Sequence, residues 1–129
     1  MFKGLPVTDH NYFYGFVYLI TNLITGKKYI GRKYFWKRNK GKYTESNWKD
    51  YYGSSTFLNE DIKLYGEENF KREILSLHKN RKAVNYSELE MIIKTNAIFD
   101  DNYYNKSLDY KTFNIDRSES LFVEDIKTP

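Results

Sequence analysis

Two phenols, one carboxylate and a run of cations are the residues of this sequence whose types and spacing could do chemistry together. Tyr18 and Tyr29 stand eleven residues apart on two extended runs, so a turn between them brings two hydroxyl-bearing rings onto neighbouring strands. Glu88 follows Val84 by four residues and precedes Ile92 by four, which sets a carboxylate on the buried edge of a helix. A carboxylate in that position requires a partner, and a metal ion is a good one. Glu90, near Tyr86 and Ile93 on another side of the same helix, is the competitor. From Lys27 to Lys42 there are eight basic residues and no acidic one. Cations interleaved with Tyr34, Phe35, Trp36 and Tyr43 suit a nucleic-acid backbone, because ammonium and guanidinium groups neutralise phosphates while ring faces stack on bases or under arginines.

The elements that position these groups are readable in outline. Phe16 to Thr21 is a β-branched, aromatic and aliphatic run; Asn22 to Gly26 breaks it, and Lys28-Tyr29-Ile30 resumes the extended pattern before Gly31. This predicts an antiparallel hairpin. Residues 33–50 lack both helical and strand periods and are expected to form a basic loop. Tyr52-Gly53-Ser54-Ser55 reads as a turn with Ser54 or Ser55 capping a helix whose free N–H groups suit a phosphate. Leu58, Ile62 and Tyr65 form that helix's apolar stripe, and Gly66 ends it. Phe70 to Leu77 predicts a third strand with Phe70, Arg72 and Ile74 on one face, and 82–96 predicts the helix that carries Glu88. Asp100 to Asn105 is a polar turn leading into a tyrosine pair.

At 129 residues the chain is expected to be one domain without a separate DNA-reading module. Cysteine is absent, which excludes disulfides and thiolate zinc sites. No signal peptide or membrane span is visible, so a soluble, intracellular protein is expected. The net charge of +4 and pI near 9.1 are a mild pointer to nucleic acid. His10 and His78 are read as bystanders.

Phe16-Val17-Tyr18, the spacing to Tyr29, and Tyr29-Ile30-Gly31 resemble the signature of the GIY-YIG nuclease superfamily. Phe16 and Val17 stand where that signature has glycine and isoleucine, with Gly15 one place early. Ser54-Ser55, Ile62 to Gly66, and Asn69-Phe70 to Ile74-Leu75 are similar to the helix and third strand of its phage homing-endonuclease branch. Glu88, with Asn105 seventeen residues later, resembles the family's catalytic glutamate and late asparagine. The resemblance runs roughly from Gly15 to Ser107. It implies an α/β (α+β) fold, a small three-stranded antiparallel sheet flanked by helices over 15–108, with an N-terminal arm at 1–14 and a C-terminal tail at 109–129.

The resemblance further implies a metal-dependent DNA endonuclease of the phage homing type, located in the cytoplasm of the infected bacterial host. In that reading Glu88, or alternatively Glu90, holds one Mg2+ (or Mn2+) per active site. Tyr18 acts as general base or water positioner, Tyr29 hydrogen-bonds the phosphate, and Asn105 completes the site. The arginine that such enzymes carry after the second tyrosine maps onto Asn39, so Arg38 is the candidate for the phosphate, with Arg32 behind it. The expected DNA contacts, to a duplex, are Arg32, Lys33, Lys37, Lys40, Lys42, Trp48, Ser54 and Ser55, with no membrane partner and a transient dimer on DNA as one oligomeric option. Two other classes stay open: a non-catalytic nucleic-acid-binding relative, and a structural or partner-binding protein whose cations only solvate a surface.

Overall fold

The strand predicted at Phe16 to Thr21 forms as β1 (Gly15–Asn22) and lies at the centre of the sheet. Its continuous apolar run is explained by cover on both sides: Phe16, Tyr18 and Ile20 face one core cluster, and Val17 faces another. The computed structural model describes residues 12–106. His10, most of the arm and the tail at 109–129 lie outside the described residues.

β2 (Lys28–Tyr34) pairs antiparallel with β1, setting Tyr18 opposite Gly31 and Phe16 opposite Lys33. The turn is fixed by Asn22, whose Oδ1 accepts from the backbone N–H groups of Ile24 and Thr25. β5 (Phe70–His78) pairs antiparallel with the other side of β1, giving the order β2-β1-β5. Phe70, Arg72 and Ile74 are buried on one face, as expected. The register then shifts, Val17 opposing Ser76 and Tyr18 opposing Ile74, so Leu75 is an extra residue bulged out beside Tyr18. Bulges change the aim of neighbouring side chains and recur next to functional sites.

Between β2 and the first helix the structure departs from the predicted loop. β3 (Trp36–Asn39) and β4 (Lys42–Glu45) form a separate antiparallel ribbon, joined through Lys40 and Gly41, which both have positive φ. Two positive-φ residues in a two-residue connection are the geometry that tight hairpins favour. Beyond Trp36 the ribbon is exposed on both faces, so no apolar alternation advertised its strands.

α1 (Thr56–Tyr65) starts at Ser55, whose hydroxyl accepts from the Leu58 N–H. It packs Leu58, Ile62 and Tyr65 on the Phe16 and Tyr18 face. Fully burying Leu58 contributes about 2 kcal/mol. α2 (Arg81–Lys94) is capped by Asn80 and covers the opposite face with Ile92. Among the described residues no helix is long and apolar enough to cross a membrane.

Candidate active site

The edge of β2 is where both faces of the sheet become accessible together. Tyr29, Gly31 and Lys33 alternate toward α1, while Ile30 and Arg32 point toward α2. A cavity of about 220 Å3 opens along this edge, lined by Tyr29, Ser54, Ser55, Glu88, Asn105 and Lys106 among others. Tyr18 is 1% exposed and sits one layer behind. Its ring lies 6.2 Å from that of Tyr29, and its hydroxyl is wedged against Gly31 and Gly53. A Cβ built on Gly53 would stand 3.0 Å from that hydroxyl and 2.8 Å from Tyr29 Cε2, and its φ of +92° independently favours glycine.

The segment carrying Gly53 is held over the tyrosines by a residue the sequence did not single out for the site. The Arg72 guanidinium donates to the carbonyls of Lys49 and Tyr51 at 3.0 and 3.2 Å, and Tyr52 stacks on it at 4.1 Å. Tyr51 in turn stands edge-on to Tyr18, 6.3 Å between ring centres. The only sequence signal was a charged residue on the apolar face of a strand, a position that demands partners.

Glu88 is 6% exposed on the stripe with Val84 and Ile92, whereas Glu90 is exposed. The carboxylate in the cavity is therefore Glu88. Arg32 Nη1 donates to Glu88 Oε1 at 2.6 Å, and Arg32 Nε donates to Tyr34, whose hydroxyl donates to Asn85 on α2. Burial opposes the guanidinium's charge, but the attraction and hydrogen bond of Glu88 more than offset it, so the Arg32 pKa is held above the ordinary arginine value. Arg38, the sequence candidate for the phosphate, lies on the ribbon opposite Tyr43 and lines neither this cavity nor the one described below. The arginine brought to the carboxylate is Arg32, because register, not distance along the chain, decides which side chain crosses the edge of β2.

Asn105 closes that edge. Its Oδ1 accepts from the Ile30 N–H at 2.9 Å and its Nδ2 donates to the Ile30 carbonyl at 2.8 Å, so one side-chain amide substitutes for a neighbouring strand. The preceding residues run alongside: Lys28 N–H donates to the Asn102 carbonyl and Tyr104 N–H to the Lys28 carbonyl. Tyr104 anchors the segment, donating to Asp61 at 2.7 Å and accepting from Asn22 at 3.0 Å. Burial and the Asp61 contact push its phenol up to about 12. Asn105→Asp should lower stability by about 2–4 kcal/mol, since a carboxylate facing the Ile30 carbonyl replaces a buried hydrogen bond with repulsion. Chemical denaturation measures this, and an unchanged midpoint at an unchanged slope would refute it.

Trp48 requires a correction. It was expected to meet nucleic acid, but its ring is 2% exposed, packed edge-on against Phe35 and Phe16, with Nε1 donating to Glu45. Lys37, Lys40 and Lys42 are exposed on or at the tip of the ribbon, while Lys33 is half-buried with its ammonium 3.9 Å above the Tyr51 ring. Burial, with the nearby Lys37 charge, lowers the Lys33 pKa from the ordinary lysine value. His78 hydrogen-bonds Ser76 on β5 and lines none of these cavities.

Among the described residues no cluster of three or more His, Cys, Asp or Glu side chains forms a ready-made metal cage. The donor set suits a hard cation that keeps much of its water: one carboxylate, Glu88, in a cavity also lined by the hydroxyl-bearing Tyr29, Ser54 and Ser55. Magnesium is commonly bound in that way, through one or two carboxylates with waters and substrate phosphates.

Comparison with known proteins identifies the family of the chain. Residues 1–108 match the family described as "Putative endonuclease segE, GIY-YIG domain". The chain is 42% identical to "Putative endonuclease segE" of Enterobacteria phage T4, over 71% of this chain and 40% of that protein. It is 35% identical to "Putative endonuclease segC" of the same phage over 68% of this chain and 39% of the relative, and 34% identical to its "Endonuclease segA" over 61% and 32%. The chain thus spans about two fifths of the length of the first two of these relatives. No solved structure matches it.

Proposed function

Because the chain belongs to the segE-type GIY-YIG endonuclease family, we propose that it is a metal-dependent endonuclease of the phage homing type that hydrolyses phosphodiester bonds in DNA, acting in the host cytoplasm. The observation that carries this reading is the meeting of Tyr29, Glu88 and Asn105 around one cavity, from a strand, a helix and a late segment, with the Tyr18 hydroxyl directly behind.

Phosphodiester hydrolysis needs a deprotonated water, charge stabilisation at the nonbridging oxygens and help for the departing oxygen. Tyr29 lines the cavity and is the phenol placed to hold the phosphate or the attacking water. Tyr18, buried behind it with its ring 6.2 Å from that of Tyr29, packs against the phenol that lines the cavity and backs it from the core side. Free tyrosine titrates near pH 10, so proton removal by either phenol depends on nearby positive charge; Arg32, Lys33 and Lys106 supply it. Glu88 would hold one Mg2+ or Mn2+, which when bound contributes Lewis-acid stabilisation of the phosphate and the leaving oxygen. Arg32 fixes the Glu88 rotamer and adds positive charge beside the phosphate. Asn105 acts through Ile30, holding the edge of β2 in place next to Tyr29. Ser54 and Ser55, at the start of α1, offer hydroxyl and backbone donors to the same substrate.

One observation favours a second reading. The Arg32 to Glu88 contact is short enough to neutralise the carboxylate without a metal, as a DNA-binding relative that does not cut would require. Incubation of the purified chain with supercoiled plasmid separates the two. Conversion to nicked or linear DNA with magnesium, suppressed by EDTA, is the expected result; intact plasmid across substrates and divalent ions, with DNA still bound, would establish the second reading.

A further inference from the structure

A second cavity, of about 230 Å3, lies between β2 and the ribbon and is lined by Arg32, Lys33, Tyr34, Trp36, Lys37, Ser46 and Tyr51. It contains three cationic side chains and no carboxylate. Arg32 is already engaged by Glu88, but Lys33 and Lys37 both line the cavity, each sensing the other's charge, and no ion pair among the described residues involves either. Two like charges sharing a half-buried space repel each other, and an anion between them turns that repulsion into attraction. The two cavities have no lining residue in common but are connected by side-chain contacts: Arg32 reaches from this one to Glu88, and Tyr51 touches both Lys33 and Tyr18.

The ribbon continues from this cavity with two unlike faces. Residues opposite each other in an antiparallel pair share a face. Trp36, Arg38, Tyr43 and Glu45 therefore form one side, and Lys37, Asn39, Lys42 and Thr44 the other. The first side is turned to the body of the protein at its base, where Trp36 and Tyr43 line a recess with Tyr14. Trp36 at the ribbon's base also borders the two-lysine cavity, but the cationic residue of the ribbon that lines it, Lys37, belongs to the second side.

We propose that Lys33 and Lys37 together bind one backbone phosphate of the DNA substrate, neighbouring the phosphate that is cut, and that the Lys37, Asn39, Lys42 and Thr44 face of the ribbon lies along the duplex beyond it. This rests on the reading of the chain as a DNA-cutting protein. It assigns the cations of this stretch by face: Lys33, Lys37 and Lys42 meet the backbone, and Arg38 does not.

The test is equilibrium binding of the whole chain to a labelled duplex in EDTA, between 50 and 200 mM salt, so that no cleavage is needed. Each phosphate neutralised contributes about 0.9 to the slope of log affinity against log salt. Lys33→Met, Lys37→Met and the double substitution should each lower the magnitude of the slope by nearly the same amount, about one, because they lose the same phosphate. Arg38→Met should leave it unchanged. A double variant that loses about two, twice either single, would overturn the shared subsite, as would unchanged slopes in all three or a loss in Arg38→Met equal to that in Lys37→Met. Lys37 is exposed, so its single variant remains informative if substitutions at Lys33 disturb folding. A chain that cuts plasmid while its slope ignores both lysines refutes the subsite and leaves the nuclease; one whose slope behaves as described but never cuts does the reverse.

Discussion

Glu88→Gln is expected to reduce magnesium-supported plasmid cleavage by at least about a thousandfold, the scale associated with losing a metal-binding or proton-transferring group at a phosphoryl centre. The substitution keeps the shape of the side chain and an oxygen that accepts from Arg32, so folding should survive it. Its stability cost should be about 1–2 kcal/mol, the difference between a charged and a neutral acceptor for a half-buried guanidinium. Removing a negative charge from the cavity should also strengthen DNA binding in EDTA, since the phosphate then meets Arg32 without an opposing carboxylate. Loss of cutting with retained or tighter binding is the pattern required. Retained cleavage, or an equal loss in the exposed Glu90→Gln, would remove Glu88 from its assigned role.

Gly31→Ala should be nearly as damaging, for a reason that involves no charge. A Cβ on Gly31 would stand 2.3 Å from the Tyr18 hydroxyl oxygen, 2.5 Å from the carbon that bears it and 2.9 Å from Tyr29 Cε2. Real Cβ contacts do not occur at such separations, so the Tyr18 ring must move by the order of an ångström. Displacements of that size at a reacting centre cost about a hundredfold in rate, and overpacking costs about 1–3 kcal/mol in stability. Adding Tyr18→Phe removes the closest clashing atom and should recover part of the melting temperature without recovering cleavage. A singly substituted protein with wild-type activity would mean that Tyr18 does not lie over Gly31 in the working enzyme.

This contact also explains what the hairpin motif encodes. Tyr18 and Gly31 are directly opposed across β1 and β2, so the glycine is the space into which the first tyrosine folds. That relation was legible as a pattern but not as a cause, because cross-strand register is invisible until the turn length is known. Elements with strong local signals were read correctly from sequence: the β1 run, the Leu58-Ile62-Tyr65 stripe and the helix carrying Glu88. The ribbon leaves no trace in the pattern because its exposed strands offer no alternation, and the burial of Trp48 is not legible because aromatic content alone does not say which rings are buried. Spacing along the chain points to Arg38, whereas alternation on β2 sends Arg32 across to α2. The departure at Phe16 and Val17 has a simple counterpart in the fold: both side chains are fully inside, one in each core cluster.

The pairing of Asn105 with Ile30 has a consequence for how the protein comes into being. On the ribosome the first hairpin can form as soon as it emerges, yet its outer strand keeps bare N–H and C=O groups until more than seventy further residues have been made. During that interval the nascent hairpin is a template for pairing with another chain, and the cavity lacks one wall. Completion of this edge thus waits for a late asparagine, and any product ending before it would combine an incomplete cavity with a self-associating edge.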